Sequence, residues 1–247
     1  MNTENLCLSL QQMKFGVVIF PGSNCDRDLI ETLASISGQK IEELWHKDTD
    51  LKGVDFVFIP GGFTYGDYLR TGAIAKLSPI MQAVKTHADK GGYVMGICNG
   101  FQILCESGLL PGALLRNASM KFICENVYLK PQNTTLAISS RLDKNKAHKI
   151  PIAHGEGRYY ADAETLQQLE DNQQILFKYC TSEGEINEAA NPNGSLNNIA
   201  GICNAGKNVF GMMPHPERCS ADYLQNIDGR QIFESIMDHV GAISTPA

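Results

Sequence analysis

The sequence G-I-C-N-G-F-Q, at residues 96–102, follows a short apolar run at residues 93–95 and leads into a helical pattern. A strand, a sharp turn and a helix in this order predict a nucleophile elbow with Cys98 at its apex. Gly96 and Gly100 flank the cysteine because strand and helix crowd together there and leave no room for side chains. The helix behind Cys98 directs its free N–H groups and the positive end of its dipole towards the sulfur, which favours the reactive thiolate.

The segments around this elbow alternate between short apolar runs typical of strands and longer amphipathic runs typical of helices. The predicted strands are residues 15–20, 54–59, 92–95, 122–129, 150–154, 175–180, 199–202 and 209–213. The predicted helices are residues 26–35, 77–88 and 163–169, with Ser23 or Asn24 as the N-cap of the first helix. This alternation predicts an α/β fold with a mostly parallel central sheet between helices, in which the later strands are partly antiparallel.

Three loops of the predicted sheet begin at Pro21, Pro60 and Cys98, each directly after a strand. Ligands of such sheets bind beyond the carboxyl ends of the strands, so we expect these loops to converge. The polar stretch at residues 183–198 predicts a surface loop, and the charged stretch at residues 143–146 predicts an exposed turn.

A single domain is expected at residues 14–241, between an N-terminal tail at 1–13 and a C-terminal tail at 242–247. The sequence contains no internal repeat and no linker that would mark a second domain. It assigns no function to residues 131–149 or 183–198.

The composition excludes several classes of function. The 247 residues include 43% hydrophobic and 19% charged residues, with a net charge of -6 and a pI near 5.5. Such an acidic chain does not offer the clustered Lys and Arg that binding to nucleic acid requires. No apolar run approaches the length of a membrane span, and the first residues lack the positive segment of a signal peptide, so we expect no membrane partner.

The 8 cysteines contain no C-x-x-C pair, which argues against zinc ribbons and thioredoxin-like redox sites. No other cluster of ligand residues has the spacing of a metal site, so no metal is expected. Without an export signal, we predict reduced thiols in a cytoplasmic protein. Apart from Cys98, the cysteines are interpreted as small buried hydrophobic residues, and Cys105 is expected to face the core from the elbow helix.

A base for the Cys98 thiol is available near the C-terminus, in the sequence M-P-H-P-E-R at residues 213–218. His215 lies between two prolines, which restrict the backbone and suit a side chain that must be placed accurately. Glu217 is close enough in sequence to accept a hydrogen bond from the imidazole, which would fix its tautomer and support the imidazolium. Cys98, His215 and Glu217 are therefore the candidate catalytic residues.

Two further loops are candidate parts of the same site. Gly61 and Gly62 follow a strand, and a glycine amide there could share an oxyanion with the amide of Asn99. Taken alone, the Pro-Gly-Gly sequence favours a plain tight turn over an oxyanion loop. His154 begins the sequence H-G-E-G-R, which suits either a binding loop or a turn that ends a strand.

The elbow G-x-C-x-G-x-Q, the Pro-Gly-Gly loop and the distant His-x-Glu pair together resemble class I glutamine amidotransferases. Four longer stretches narrow the resemblance: P-G-S-N-C-D-R-D from Pro21, P-G-G-F-T-Y-G-D-Y-L-R-T-G-A-I-A from Pro60, H-G-E-G-R-Y from His154 and M-P-H-P-E-R from Met213. They resemble the separate glutaminase subunits of phosphoribosylformylglycinamidine synthase, an enzyme of purine biosynthesis. The resemblance covers about residues 14–239.

This resemblance implies a flavodoxin-like three-layer α/β sandwich and a division of roles among the candidate catalytic residues. Cys98 would attack the side-chain amide of L-glutamine. His215 would pass a proton to the leaving ammonia and later activate water to hydrolyse the glutamyl thioester, while Glu217 would orient His215.

The same resemblance implies roles for the surrounding residues. The backbone amides of Gly62 and Asn99 would form the oxyanion hole. Gln102 would help to hold the substrate, and His154 and Glu156 would lie near its amino-acid end.

The resemblance also implies partners for this chain. The ammonia would pass to a synthetase subunit that uses ATP and formylglycinamide ribonucleotide, and a small third subunit would bridge the two. ATP and magnesium are expected in the synthetase subunit, because this chain has no ATP-grasp or P-loop signature. Residues 63–70 are a candidate part of the docking face.

The residues alone leave other functions open. The chain could be a class I amidotransferase subunit of another synthetase, a free-standing glutaminase, or a cysteine hydrolase of the related intracellular-peptidase superfamily. A non-enzymatic scaffold is the remaining alternative, although Cys98, His215 and Glu217 are all present.

Overall fold

The computed structural model describes residues 13–68 and 70–243. Most of the predicted N-terminal tail and the end of the predicted C-terminal tail lie outside the described residues, as do Cys7 and Leu69. The domain boundaries at residues 14 and 241 therefore stay a prediction.

The described residues alternate between strands and helices in the first half of the chain and are richer in strands in the second half. The strands are β1 (Phe15–Ile19), β2 (Glu42–Trp45), β3 (Phe56–Ile59), β4 (Tyr93–Ile97), β5 (Ala113–Leu115), β6 (Ile123–Pro131), β7 (His148–His154), β8 (Arg158–Tyr160), β9 (Ile175–Cys180), β10 (Ile199–Cys203) and β11 (Val209–Met212). The helices are α1 (Asp26–Ser37), α2 (Pro79–Asp89), α3 (Asn99–Glu106), α4 (Ala163–Asp171) and α5 (Arg230–Ile243).

Most strands join one nine-stranded sheet in the order β2-β1-β3-β4-β11-β10-β9-β6-β7, while β5 and β8 form a separate antiparallel pair. The pairings from β2 to β11 are parallel, and those from β11 to β7 are antiparallel. The predicted fold class is confirmed, as is the expectation that the later strands are partly antiparallel. The three loops expected to converge do so, because Phe63 N donates to Gly22 O and Gly61 lies beside Cys98.

The sequence prediction omits β2, β5, β8 and α5. In β2 only Leu44 is buried, since this strand lies at the edge of the sheet and gives little apolar signal. α5 is absent from the prediction although Ile232, Phe233 and Ile236 are buried at helical spacing.

Two local predictions are wrong. The N-cap of α1 is Cys25, which makes no side-chain cap bond, whereas the Ser23 hydroxyl accepts from the amide of Phe20 within the preceding turn. The stretch 183–198 is not wholly a surface loop, because Asn193 and Ser195 are buried and bond to the backbone around β8. The exposed turn at residues 143–146 is confirmed.

The helices cover the sheet in two groups. α1 contacts α5, whereas α2 and α3 both contact the 3-10 turn Ala75–Leu77. β3 is buried along its whole length, as expected for a central parallel strand with helices on both faces. No helix in the described residues has both the length and the apolar character that a membrane span requires.

The elbow is the most crowded point between α3 and the sheet. A Cβ atom on Gly100 would lie 2.0 Å from the carbonyl oxygen of Ile59, and one on Gly96 would lie 2.5 Å from the carbonyl carbon of Gly100. Only glycine at these positions lets the helix begin this close to β3 and β4.

We therefore predict that Gly100→Ala destabilises the protein by about 3 kcal/mol or more, because the clash is with backbone that cannot rotate away. Chemical denaturation of the purified variant measures this loss. Gly155→Ala is the matched control, since its Cβ would meet only a side-chain atom of Phe122 at 3.8 Å. Equal stability of the two variants would contradict the crowding argument.

Candidate active site

Cys98 lies at the apex of the turn between β4 and α3, where the sequence places it. Its backbone has a φ of 51° and a ψ of -106°, a positive-φ conformation that residues other than glycine rarely adopt, so the turn is strained. The Cys98 amide donates to Met212 O over 2.8 Å, and Ile97 pairs with Met212 in the parallel register. The chain therefore leaves β4 at Cys98 and β11 near His215 at neighbouring points of the sheet edge.

His215 and Glu217 form a buried pair. His215 Nδ1 lies 2.6 Å from Glu217 Oε1, and the two side chains are 2% and 1% exposed. Burial lowers the pKa of His215, but the Glu217 carboxylate and then the Cys98 and Cys25 sulfurs raise it, and the result is well above the usual range. The geometry thus brings the sequence-predicted base and carboxylate together and favours the imidazolium.

Backbone bonds hold this pair from several elements. The His215 amide donates to Pro151 O of β7 over 2.8 Å, and the Thr32 hydroxyl of α1 donates to Glu217 O over 3.2 Å. Pro216 begins the 3-10 turn Pro216–Cys219, where its fixed φ suits the first position. The imidazole is therefore placed by three separate parts of the fold.

The Pro-Gly-Gly loop after β3 lies against the same residues. A Cβ atom on Gly61 would lie 2.7 Å from His215 Cε1, 3.2 Å from Cys25 Sγ and 3.4 Å from Cys98 Cβ. From the sequence, Gly61 is only one of two candidate glycines for the oxyanion loop; in the structure, its lack of a side chain also keeps the space between the thiol and the imidazole open. A large side chain has no room here.

The two candidate oxyanion donors flank the elbow. Gly62 has a φ of 141°, and a Cβ atom there would lie 2.8 Å from Asn24 N and 2.9 Å from Gly22 O. Asn99 begins α3, so its amide has no acceptor within the helix. These positions suit a shared oxyanion, and the assignment is a proposal taken up below.

The sequence interpretation of Cys25 needs correction. Cys25 is buried as expected, but Arg218 Nη2 lies 3.0 Å from its sulfur and His215 is adjacent. Cys25 Sγ, a nitrogen of His215 and an oxygen of Glu217 lie within 4.8 Å of one another. Within this cluster, His215 is hydrogen-bonded to Glu217, and Arg218 donates to the Cys25 sulfur.

The remaining cysteines in the described residues are free thiols. Cys180, Cys203 and Cys219 are buried, as predicted, and Cys105 is partly buried against the core. Cys124 is exposed, which contradicts the prediction, because the first part of β6 is exposed on both faces, from Cys124 as far as Asn126.

Gln102 and Asn99 are tied into the protein rather than free. Gln102 Oε1 accepts from Asn99 Nδ2 over 3.0 Å, and Gln102 Nε2 donates to Glu156 O over 2.6 Å. Thr64 N donates to Asn99 Oδ1 over 3.2 Å. The Gln102 amide therefore joins the elbow helix to the loop that carries Glu156, and it also lines the pocket beside Cys98.

His154 lies at the end of β7 and is 3% exposed. Burial, and then the charge of His215, lower the pKa of His154 to about 4, so its imidazole is neutral. Asn117 Nδ2 donates to Lys121 O and His154 O, which leaves Asn117 Oδ1 to accept from Gly157 N and His154 Nδ1. Asn117 was not predicted, because its role depends on contacts distant in sequence.

A cavity of about 280 Å³ opens beside Cys98. Its walls include every predicted substrate residue, Gln102, His154 and Glu156, together with Gly62. Further wall residues that the sequence analysis did not assign to the substrate are Asp67, Thr71, Arg116 and Lys121.

Known proteins that are similar to this chain are glutamine amidotransferases and PurQ subunits. A profile of the CobB/CobQ-like glutamine amidotransferase domain matches residues 12–238. Phosphoribosylformylglycinamidine synthase subunit PurQ of Moorella thermoacetica is 57% identical over 226 residues, which are 92% of this chain and 96% of that protein. The subunit of the same name from Gloeobacter violaceus is 54% identical over 225 residues, covering 91% of this chain and 97% of that protein.

One solved structure is similar to the chain in both fold and sequence. In the structure of PurLQS from Thermotoga maritima, one chain matches with a TM-score of 0.80 and 39% identity, covering 93% of this chain and 99% of that chain. The chain therefore belongs to the glutamine amidotransferase family, in the group whose named members are PurQ subunits of phosphoribosylformylglycinamidine synthase.

Proposed function

We propose that this chain is the glutaminase subunit of a phosphoribosylformylglycinamidine synthase in de novo purine biosynthesis. It hydrolyses L-glutamine to glutamate and ammonia and delivers the ammonia to a synthetase subunit. The observation that carries the proposal is the elbow thiol of Cys98 beside the buried pair of His215 and Glu217. The family description supports glutamine as the substrate, and the names of the relatives support the assembly.

The chemistry follows from the charges in the site. The Cys98 thiolate attacks the side-chain carbonyl carbon of glutamine, and the tetrahedral intermediate carries an oxyanion. His215, whose raised pKa keeps it protonated, gives its proton to the departing nitrogen, so the C–N bond breaks and ammonia leaves a thioester on Cys98. The neutral imidazole then takes a proton from water, and the resulting hydroxide attacks the thioester to release glutamate and the thiolate.

The surrounding residues support the two transition states. Glu217 accepts from His215 Nδ1 and stabilises the imidazolium, and its own backbone is held by α1. The amides of Gly62 and Asn99 donate to the oxyanion, where each such donor typically contributes about 10²- to 10³-fold in rate. Gln102 keeps the loop at His154 against the elbow helix.

The partner in this proposal is a synthetase subunit that converts formylglycinamide ribonucleotide to formylglycinamidine ribonucleotide, with a small bridging subunit. ATP and magnesium bind to the synthetase. We place its docking face at residues 63–70, because Phe63, which lines the pocket, and Tyr68 are 48% and 87% exposed. Arg70 is held by Glu106 through an ion pair, so it contributes less to docking than Tyr68.

We expect the chain to work in the cytoplasm, where the free thiols of its described cysteines would stay reduced. The alternatives are an amidotransferase subunit of a different synthetase and a cysteine hydrolase with another substrate. Identity above 50% to two PurQ subunits over nearly their whole length favours the proposed function over both.

Cys98→Ala should lower glutamine-dependent synthesis in the assembled complex by at least about 10³-fold, since no other thiol of the described residues lies at the apex of the elbow. Synthesis from added ammonia should continue, because it bypasses this subunit. A glutamine-analogue diazoketone should form one adduct on Cys98 of the wild type, blocked by excess glutamine. Cys124→Ala, which removes an exposed thiol, is the control and should behave like the wild type. An adduct on a residue other than Cys98 would refute the assignment.

Glu217→Gln should lower kcat by about 10²- to 10⁴-fold and change its pH dependence. Glu217 raises the pKa of His215, so the variant has a lower His215 pKa and loses the imidazolium at lower pH. The alkaline limb of the kcat/KM profile should therefore move to lower pH. Glu183→Gln, at an exposed position, should show the wild-type profile, and an unmoved limb in Glu217→Gln would contradict the proposed role.

Tyr68→Ala should weaken binding to the synthetase by about 10-fold or more, because it removes an 87% exposed aromatic side chain from the proposed docking face. Titration of the labelled chain with synthetase and bridging subunit gives the Kd. Tyr223→Ala is the matched control, since Tyr223 is 80% exposed in the separate turn Asp222–Leu224. Equal affinities of the two variants for the synthetase would contradict the placement of the docking face at residues 63–70.

A further inference from the structure

The pocket beside Cys98 contains acceptor atoms that the described residues do not satisfy. Asp67 Oδ1 and His154 Nε2 are both buried and have no hydrogen-bond donor in the described part of the chain. Both residues line this pocket. Buried acceptors are nearly always paired in folded proteins, so two orphans in one cavity point to a ligand that brings donors.

A second carboxylate lies on the same wall. Glu156 Oε2 accepts from the Thr71 hydroxyl over 2.7 Å, and Arg116 Nε lies 3.8 Å from Glu156 Oε1 on a side chain that is 65% exposed. Burial, and then the charge of Glu156, raise the pKa of Asp67 to about 6, although the amides of Asn99 and Gly72 oppose this. A cationic group placed beside Asp67 would therefore be favoured, because it would offset both the burial of this carboxyl group and the charge of Glu156.

His154 adds a neutral acceptor. Asn117 Oδ1 accepts from His154 Nδ1, so the Nδ1 atom carries the proton and Nε2 keeps its lone pair. The lowered pKa of His154 keeps Nε2 unprotonated at neutral pH. Asp67 Oδ1 and His154 Nε2 are therefore two acceptors without a donor in the described residues, and the partly paired Glu156 carboxylate lies on the same pocket wall.

We propose that Asp67, together with Glu156 and His154 Nε2, binds the α-ammonium group of the amino-acid substrate, which makes Asp67 a specificity-determining residue. An ammonium group carries three N–H donors and one positive charge, which matches these acceptors. Arg116 and Lys121 line the same pocket and supply the charge that an α-carboxylate needs. The pocket thus fits a zwitterion, and this assignment rests on the proposed function.

The backbone holds Asp67 in place for this role. Tyr65, Gly66 and Asp67 have consecutive φ angles of 54°, 75° and 51°, a left-handed run that is strained at the two non-glycine residues. The Tyr65 hydroxyl lies 2.6 Å from His46 Nδ1 and 2.9 Å from Ser78 Oγ, which anchors the turn from behind. Such strain persists only where the surroundings fix it, and it commonly marks a functional site.

The test uses the assembled complex with Cys98→Ala, which binds ligands without turnover. The two ligands are L-glutamine and 4-carbamoylbutanoate, which differ only by the α-ammonium group. Adding Asp67→Asn should weaken L-glutamine binding by about 10- to 100-fold and 4-carbamoylbutanoate binding by less than about 3-fold. Asp89→Asn, at an exposed position at the end of α2, should change neither Kd.

In the complex with Cys98 intact, Asp67→Asn should lower kcat/KM for L-glutamine mainly through KM, and Asp67→Glu should restore part of it. An unchanged L-glutamine Kd in Asp67→Asn, or equal weakening of both ligands with an unaltered melting temperature, would overturn the assignment of Asp67. If instead the wild-type complex formed no glutamate from glutamine, the proposed function itself would fail. The two failures are therefore distinguishable.

Discussion

The parallel pairing of β4 with β11 is the constraint on which the rest of the site depends. Its register sets Ile97 beside Met212, so that the chain turns out of both strands at the same edge of the sheet. Cys98 and His215 follow these two strands and meet there, although they are far apart in sequence. The close contact of Gly100 with the Ile59 carbonyl then fixes how near the elbow helix can begin.

Burial gives this arrangement its electrostatic character. In a buried setting the Glu217 carboxylate acts strongly on His215, and the pair is stable because a short hydrogen bond joins it. The same burial keeps His154 neutral, so two histidines of one site hold different charge states. The site therefore separates an acid next to the thiol from a neutral acceptor on the pocket wall.

The central features of the fold were predictable because they are local. Short runs of apolar residues indicate β1, β3 and β4, and the glycine spacing around Cys98 indicates the elbow. The edge strand β2 gave too weak a signal, since only Leu44 is buried in it. The predicted N-cap of α1 was wrong, because the Ser23 hydroxyl accepts a hydrogen bond from the amide of Phe20 in the preceding turn. The residue type alone does not show whether a serine caps a helix or bonds within a turn.

The sequence by itself determined the residue types that the chemistry needs: a cysteine at an elbow, a histidine between prolines, a carboxylate two residues on and a glycine pair after a strand. Only the tertiary structure decided that Cys25 and Gly61 lie against the imidazole and that Asp67 shares a pocket with Glu156. The physical reason is that motifs depend on local backbone geometry, which neighbouring residues dictate. Pocket contacts and burial depend on strand order and register, which arise from packing between distant segments.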